Sequence, residues 1–192
     1  MKAETVESQA TNGEQHQYLT FLLSGEEFGV GILQVKEILE YTAPTPVPMV
    51  PDFIKGVINL RGNVVPVVDL KAKFHMPRSE ATRRSCVVIV EVDVDGEQTT
   101  MGIVVDAVSE VMEIAPQDIE PPPPFGARIK VDFIRGMAKL DKKFIILLDI
   151  DRVLSAEELA VVDRLRTEPA DAAAGPGEGQ TAHPAGTEAV SA

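Results

Sequence analysis

The chain contains an internal repeat, because residues 52–74 align without a gap to residues 132–154, 80 positions further on. The apolar positions stay in phase, and six positions are identical: Asp52/Asp132, Phe53/Phe133, Ile54/Ile134, Gly56/Gly136, Leu60/Leu140 and Asp69/Asp149. Side chains of a β-strand alternate between two faces, so a slip of one residue would turn the core side chains toward water. The conserved phase therefore predicts two copies of one small β unit.

The segments that precede each copy also correspond. Residues 29–32 mirror residues 102–105, and three later positions match at an offset of 73: Val35/Val108, Glu37/Glu110 and Ile38/Val111. The change of offset from 73 to 80 places a seven-residue insertion in the connection that holds Pro121–Pro124. Each half then offers about five short strands with closely spaced turn signals, a pattern typical of a small barrel.

These patterns predict a mainly β fold of two five-stranded barrels, over residues 17–84 and 85–154, followed by a helix over 155–166. Ser155 and Glu158 form a capping box at the start of that helix. Asp69 and Asp149 end the last strand of each copy and are predicted to be helix N-caps. Residues 1–16 and the acidic Ala/Gly/Pro segment 167–192 are predicted to be disordered, since they offer too few apolar side chains to offset ordering.

Composition excludes several classes of function. The net charge of −12 and the 5% aromatic content disfavour a nucleic-acid partner. The single cysteine, Cys86, fits a reducing compartment. The N-terminus lacks the apolar run of a signal peptide, and no stretch is long enough to span a membrane, which predicts a cytoplasmic protein without direct membrane insertion.

The sequence lacks the usual signatures of enzymes and metal sites. Its three histidines are dispersed, no metal-ligand spacing appears, and Gly29-Val30-Gly31 lacks the third glycine of a nucleotide fingerprint. There is no phosphate loop and no nucleophile elbow. We therefore predict a binding protein that uses no cofactor or metal.

Two sets of residues could form binding surfaces. Arg61 stands at the tip of a predicted hairpin whose loop is Arg61-Gly62-Asn63, and its counterpart in the second copy is Asp141. Arg61 is either a binding residue or an ordinary solvated turn residue. Val35, Glu37 and Ile38 are either part of the same surface or simple strand residues with one polar face.

Phe125 follows the proline run and is either an aromatic anchor for a partner or a residue that folds back over a barrel.

Residues 53–62 (Phe-Ile-Lys-Gly-Val-Ile-Asn-Leu-Arg-Gly), continued by residues 65–70, resemble the signature of CheW, the bacterial chemotaxis coupling protein. Residues 102–108 resemble the second motif of that family. The similarity covers roughly residues 17–166, nearly the whole predicted folded part, but neither terminal segment.

The resemblance implies two five-stranded SH3-like barrels packed side by side and a non-catalytic adaptor. Such proteins join the cytoplasmic tips of transmembrane chemoreceptors to the histidine kinase CheA, whose regulatory domain is itself CheW-like. By motif position, a receptor-binding groove between the barrels would involve Val35, Glu37, Ile38, Gly56 and Arg61, and Phe125 would contact the kinase.

Two alternative functions remain open at this stage, and self-association within receptor arrays is open under either family reading. Within the family, the chain could serve a non-flagellar chemosensory pathway. In a different class, a tandem barrel could bind a small ligand or an oligonucleotide.

Overall fold

The computed structural model describes residues 16–94, 96–123 and 129–167. Phe125 and nearly all of the two predicted disordered segments lie outside these ranges. The described strands are β1 (Gln17–Leu23), β2 (Glu26–Gly31), β3 (Val35–Glu40), β4 (Ile54–Leu60), β5 (Asn63–Asp69), β6 (Cys86–Val94), β7 (Glu97–Val105), β8 (Ala107–Glu113), β9 (Ile119–Glu120), β10 (Ile134–Leu140) and β11 (Lys143–Leu148). The described α-helices are α1 (Leu70–Lys73) and α2 (Ala156–Thr167).

The strands form two sheets, one of six strands in the order β8-β1-β2-β11-β10-β9 and one of five in the order β3-β6-β7-β5-β4. The predicted mainly β fold of two small SH3-like units with a C-terminal helix is confirmed. Within the described ranges, no ladder joins the two edge strands of either sheet, so neither closes into a barrel by hydrogen bonding.

The six-stranded sheet has one strand more than predicted, because the two-residue strand β9 pairs with β10. The equivalent position in the first copy is a single bridge between Thr45 and Val57. Pro44 and Pro46 flank Thr45 and have no N–H to donate, which limits the pairing there to one residue.

The sheets divide the chain differently from the predicted barrels at 17–84 and 85–154. Hairpin β1–β2 lies in the sheet of β8–β11, and hairpin β6–β7 lies in the sheet of β3–β5. Each of these hairpins is attached by a parallel pairing, β2 with β11 and β7 with β5. The repeat predicts two units, but it cannot indicate which unit receives a hairpin, because both units offer the same apolar pattern.

The repeated glycines Gly29 and Gly102 lie at these parallel pairings. A Cβ atom at Gly29 would lie 2.9 Å from a Leu147 methyl group, and one at Gly102 would lie 2.7 Å from a Val87 methyl group. Interiors packed this closely leave no room for an added methyl group. At Gly29 the close contact is with β11, so the missing side chain allows hairpin β1–β2 to dock. At Gly102 the close contact is with β6, so the missing side chain allows β6 and β7 to pack together within their hairpin.

The largest cluster of buried side chains contains residues from both sheets and joins them. A row of rings runs through it, with successive centroids 6.2, 6.3 and 5.9 Å apart: Phe21, Phe28, Phe74 and Phe133. A smaller apolar cluster belongs to each sheet by itself. Because burial of one large apolar side chain contributes about 1.5–3 kcal/mol, most of the stability comes from this shared core.

The predicted helix caps have different outcomes. Asp69 caps α1, because its Oδ1 accepts from the backbone N–H of Lys71 at 2.9 Å and of Ala72 at 3.3 Å. Asp149 makes no capping hydrogen bond with its side chain and pairs instead with Arg152 at 3.3 Å, so its prediction as a side-chain N-cap is wrong.

The predicted capping box of α2 is confirmed. The backbone N–H of Ser155 donates to Glu158 Oε2 at 2.7 Å, and the N–H of Glu158 donates to Ser155 Oγ at 3.3 Å. These two bonds satisfy backbone donors that the first turn of a helix leaves without partners. The helix begins one residue later than predicted and ends at Thr167.

Candidate binding site at the mouth of the five-stranded sheet

The β4–β5 hairpin places Arg61 at its tip. Arg61 and Gly62 both have positive φ, 51° and 86°, as in the type I′ turns that match the twist of paired strands. Asn59 Oδ1 accepts a hydrogen bond from the Gly62 N–H at 2.8 Å. The loop has two residues rather than the predicted three, because Asn63 already pairs with Leu60.

Arg61 and Glu37 connect the two edges of the five-stranded sheet, since β3 and β4 are its edge strands. The guanidinium donates from Nη1 to Glu37 Oε1 at 2.7 Å and from Nη2 to Oε2 at 2.9 Å. The Arg61 side chain is 75% exposed and that of Glu37 is 24% exposed. An exposed pair of this kind adds only about 0–1 kcal/mol to stability, but its bidentate geometry fixes both side chains.

A cavity of about 680 Å³ opens beside this pair. Its apolar lining comes from the inner face of the sheet, chiefly from Leu60, Val65 and Ile89. Its charged lining comes from β3, β7, the β4–β5 turn and the C-terminal helix: Lys36, Glu37, Glu97, Arg61 and Asp163. The cavity can therefore hold an apolar side chain that has a polar or charged neighbour at the rim.

The structure brings together two of the five residues predicted for receptor binding, Glu37 and Arg61. A register shift in β3 lies between Val35 and Glu37. Val35 consequently packs against the core between the sheets, while Glu37 lines the cavity. Ile38, the next residue of β3, is 44% exposed and does not line the cavity.

The fifth predicted residue, Gly56, has a structural role. It is buried, its φ is +141°, and a Cβ atom there would lie 2.0 Å from the Thr45 carbonyl oxygen. Its neighbour Val57 exchanges two backbone hydrogen bonds with Thr45, at 2.8 and 2.9 Å. Gly56 thus allows the chain before β4 to pack against the hairpin, and it is not part of the cavity lining.

Buried side chains of both sheets form a shared core. A cavity of about 250 Å³ is lined by residues from both repeats, including Phe53, Lys73 and Phe133. The receptor-binding groove that the resemblance implied between the barrels stays a prediction. The cavity beside Arg61 opens on the five-stranded sheet, but Asp163 of α2 forms part of its rim, so both halves of the chain contribute to it.

Sequence reasoning missed Glu97, Thr100 and Asp163, which also line the cavity. They lie 36 or more positions after Arg61, and no short motif connects them to it. Lys36 and Leu60 could have been found, because Lys36 lies between the predicted residues Val35 and Glu37 and Leu60 lies within the matched signature.

Helix α2 is held in place at two points. Val162 is fully buried in the core between the sheets. Both carboxylate oxygens of Glu158 accept hydrogen bonds from the Lys73 ammonium of α1. Partial burial would raise the pKa of the Glu158 carboxyl, but Lys73 and Ser155 outweigh that effect and lower the pKa below its ordinary value.

Residues 16–94, 96–123 and 129–167 contain neither a metal-binding cluster nor a membrane-spanning helix. These residues include no group of His, Cys, Asp and Glu side chains arranged to hold a metal ion. Their helices include none with the length and apolar character needed to cross a bilayer.

The chain is similar to known proteins over both repeats. Residues 17–158 match the family model of the CheW-like domain. The chemotaxis protein CheW of Klebsiella aerogenes is 37% identical over 161 residues, covering 84% of this chain and 95% of that protein. CheW of Rhizobium meliloti is 35% identical over 148 residues, covering 77% and 92%.

The crystal structure of the scaffolding protein CheW from Thermoanaerobacter tengcongensis superposes with a TM-score of 0.68 at 36% sequence identity. The match covers 75% of this chain and 90% of that one. The family match ends at residue 158, five positions before the cavity residue Asp163.

Proposed function

The chain belongs to the CheW-like family, and from that premise we propose that it is a non-catalytic adaptor of bacterial chemotaxis that couples the cytoplasmic tips of chemoreceptors to the histidine kinase CheA. It acts in the cytoplasm, next to membrane-anchored receptor arrays. The protein acts by binding rather than by catalysis, so its function depends on surfaces that bind two partners at once.

The observation that carries the receptor half of this proposal is the bidentate pair between Arg61 and Glu37 at the cavity. Motif position selects both residues for receptor binding, although they lie 24 positions apart and on opposite edges of the sheet. Their direct pairing beside a cavity that has an apolar floor and a charged lining supports a binding role for both residues.

The chemistry of the cavity suits a helical partner. A receptor tip is a helical hairpin, and a helix docks by placing apolar side chains in a concave apolar surface. Leu60, Val65 and Ile89 supply that surface. Arg61, exposed at the rim and fixed by Glu37, supplies an oriented donor, and arginine is frequent among residues that dominate binding energy.

Replacement of Arg61 tests this site. Arg61→Glu should leave thermal unfolding unchanged within about 1 kcal/mol, because exposed ion pairs contribute little. It should abolish co-sedimentation with receptor signalling fragments, because the donor is lost and two carboxylates then face each other. Binding of the variant at the wild-type level would remove Arg61 from the site.

The kinase surface is proposed from motif position alone, since Phe125 lies outside the described residues. Phe125→Ala should weaken binding of the kinase regulatory domain and leave receptor binding intact, because an aromatic anchor is lost on one surface only. Separate titrations with each partner measure both effects. Equal losses for the two partners would indicate a structural role for Phe125 and contradict the assignment.

A further inference from the structure

A second cavity, of about 460 Å³, opens on the six-stranded sheet. The buried Tyr18 and Leu148 and the half-buried Ile119 give it an apolar floor. Leu33, which follows β2 and is 58% exposed, also lines it. Its described lining residues all differ from those of the cavity beside Arg61. The protein therefore offers a concave surface for a second partner while the first cavity is occupied.

Two charged residues of this lining, Arg135 and Asp149, are the counterparts of Lys55 and Asp69 in the first copy. In both copies the aspartate N–H donates to the carbonyl oxygen of the phenylalanine just before the first strand of the hairpin, at 2.7 and 2.9 Å. The side chains, however, pair differently. In the first copy the Lys55 ammonium lies 3.3 Å from Asp69. In the second copy Asp149 pairs with Arg152 at 3.3 Å, so the same backbone leaves Arg135 apart from its carboxylate.

Arg135 has no ion pair and no side-chain hydrogen bond among the residues that the structure describes. The two carboxylates of the lining do have partners. Asp149 has its ion pair, and Asp151 accepts hydrogen bonds from Gln34 Nε2 at 3.1 Å and from a backbone N–H of β6 at 2.9 Å. An exposed guanidinium beside an apolar floor is suited to bind a carboxylate with two parallel hydrogen bonds.

Building on the proposed function, we propose that this cavity binds the kinase regulatory domain. Arg135 receives a Glu or Asp side chain of the kinase, and an apolar neighbour of that residue packs against Leu33 and the floor. The cavity adjoins the proposed kinase surface along the chain, because Ile119 lies six positions before Phe125. Since the cavity beside Arg61 is proposed for the receptor, the two partners occupy different cavities. The charge of Arg135 also disfavours a partner with Lys or Arg at this place.

Substitutions in the lining test the charge and the apolar contact. Titrated with the kinase regulatory domain, Arg135→Gln should weaken binding about threefold and Arg135→Glu at least about tenfold. The difference between the wild type and Arg135→Gln should shrink as salt rises, because salt screens the attraction. Leu33→Ala should weaken kinase binding about threefold, since apolar contact area is lost. Receptor signalling fragments should bind all three variants as they bind the wild type.

Lys139→Glu is the matched control, because it makes the same change of charge on an exposed residue of the same strand that does not line the cavity. It should bind the kinase regulatory domain as the wild type does. Thermal unfolding of each variant separates loss of binding from loss of folding. The Arg135 variants should unfold as the wild type does, because no partner of this side chain is lost within the described part of the chain.

The outcomes distinguish this inference from the proposed function. If the wild type does not bind the kinase regulatory domain, the proposed function fails. If the wild type binds and Arg135→Glu binds equally well, or loses receptor binding instead, only the role of this cavity fails. An equal loss in Lys139→Glu would also overturn the inference, because it would indicate the net charge of the protein rather than the cavity.

Discussion

The β4–β5 and β10–β11 hairpins occupy equivalent places in the repeat but carry different residues at their tips. Both tips have a residue of positive φ, Arg61 at 51° and Asp141 at 48°. Aspartate adopts this conformation more readily than arginine does, so the backbone of the turn does not require Arg61. The repeat shares its turn geometry, and the arginine at one tip is the residue that we propose for receptor recognition.

The strands that match β3 and β8 extend the comparison. Glu37 of β3 pairs with Arg61 at the hairpin tip of the first copy. In the second copy the counterpart of Glu37 is Glu110 on β8, and the residue at the hairpin tip is the acidic Asp141. Glu110 uses its backbone instead, accepting at its carbonyl from Thr20 Oγ1 at 3.0 Å and donating its N–H to the same oxygen at 3.3 Å. One copy thus supports a charged pair at a cavity, and the other joins its edge strand to the sheet.

The two bulge glycines give the largest expected difference between the copies. Gly56→Ala should destabilise the protein by about 3 kcal/mol or more, since its φ is +141° and the new Cβ atom would meet a backbone oxygen at 2.0 Å. Gly136→Ala should cost about 1–2 kcal/mol, because its φ is not positive and the nearest atom, at 2.4 Å, is a side-chain methyl group of Ile119 rather than a backbone atom. Denaturant midpoints measure both. Equal losses would mean that the bulges are equivalent and that Thr45 is not a rigid obstacle.

The aspartates that end the last strands should differ by a smaller amount. Asp69 is buried, caps α1 and lies 3.3 Å from the Lys55 ammonium, so Asp69→Ala should cost about 1–2 kcal/mol. Among the described residues the Asp149 side chain pairs only with Arg152, and Asp149→Ala should change stability by about 0.5 kcal/mol or less. Urea unfolding of the two variants checks the ranking. A larger effect at Asp149 would contradict the caps seen in the structure.

The smallest expected effect is a change in how stability depends on pH. It comes from Glu158 on helix α2, which follows the second copy of the repeat. The pKa of Glu158 is lower in the folded protein than its ordinary value, so the ionised group stabilises the fold at neutral pH. That contribution is lost as pH falls through the ordinary carboxyl range and then through the folded pKa. Glu158→Gln should lower the melting temperature at pH 7 and reduce the further loss between about pH 5 and pH 3. Glu157→Gln is the control, and an identical pH profile for the two variants would contradict the role of the Lys73 pair.

The sequence predicts the strands and helix of the β unit well because they depend on patterns among neighbouring residues. Alternating apolar residues give the hairpins, and Ser155 with Glu158 gives the start of α2. The exchange of hairpins was not predictable, since Gly29 marks a close contact without indicating that the strand on the other side is β11. The prediction of a helix cap at Asp149 is wrong because the carboxylate of Asp149 pairs with Arg152, three residues further on, instead of with backbone N–H groups.

The site was half predictable. The motif around Arg61 identifies the hairpin tip, and the match of β3 identifies Glu37. Asp163 and Glu97 reach the cavity only through tertiary packing of α2 and β7, and their separation from Arg61 in sequence leaves no pattern to find.

A reconstituted kinase assay tests the adaptor role most directly. Receptor signalling fragments and the histidine kinase CheA are combined with the wild type, Arg61→Glu or Asp141→Lys, and phosphorylation of the kinase is followed. The wild type and Asp141→Lys should both stimulate the kinase strongly and only when receptor fragments are present, whereas Arg61→Glu should not. Absence of stimulation by the wild type, or full stimulation by Arg61→Glu, would contradict a coupling function centred on this cavity.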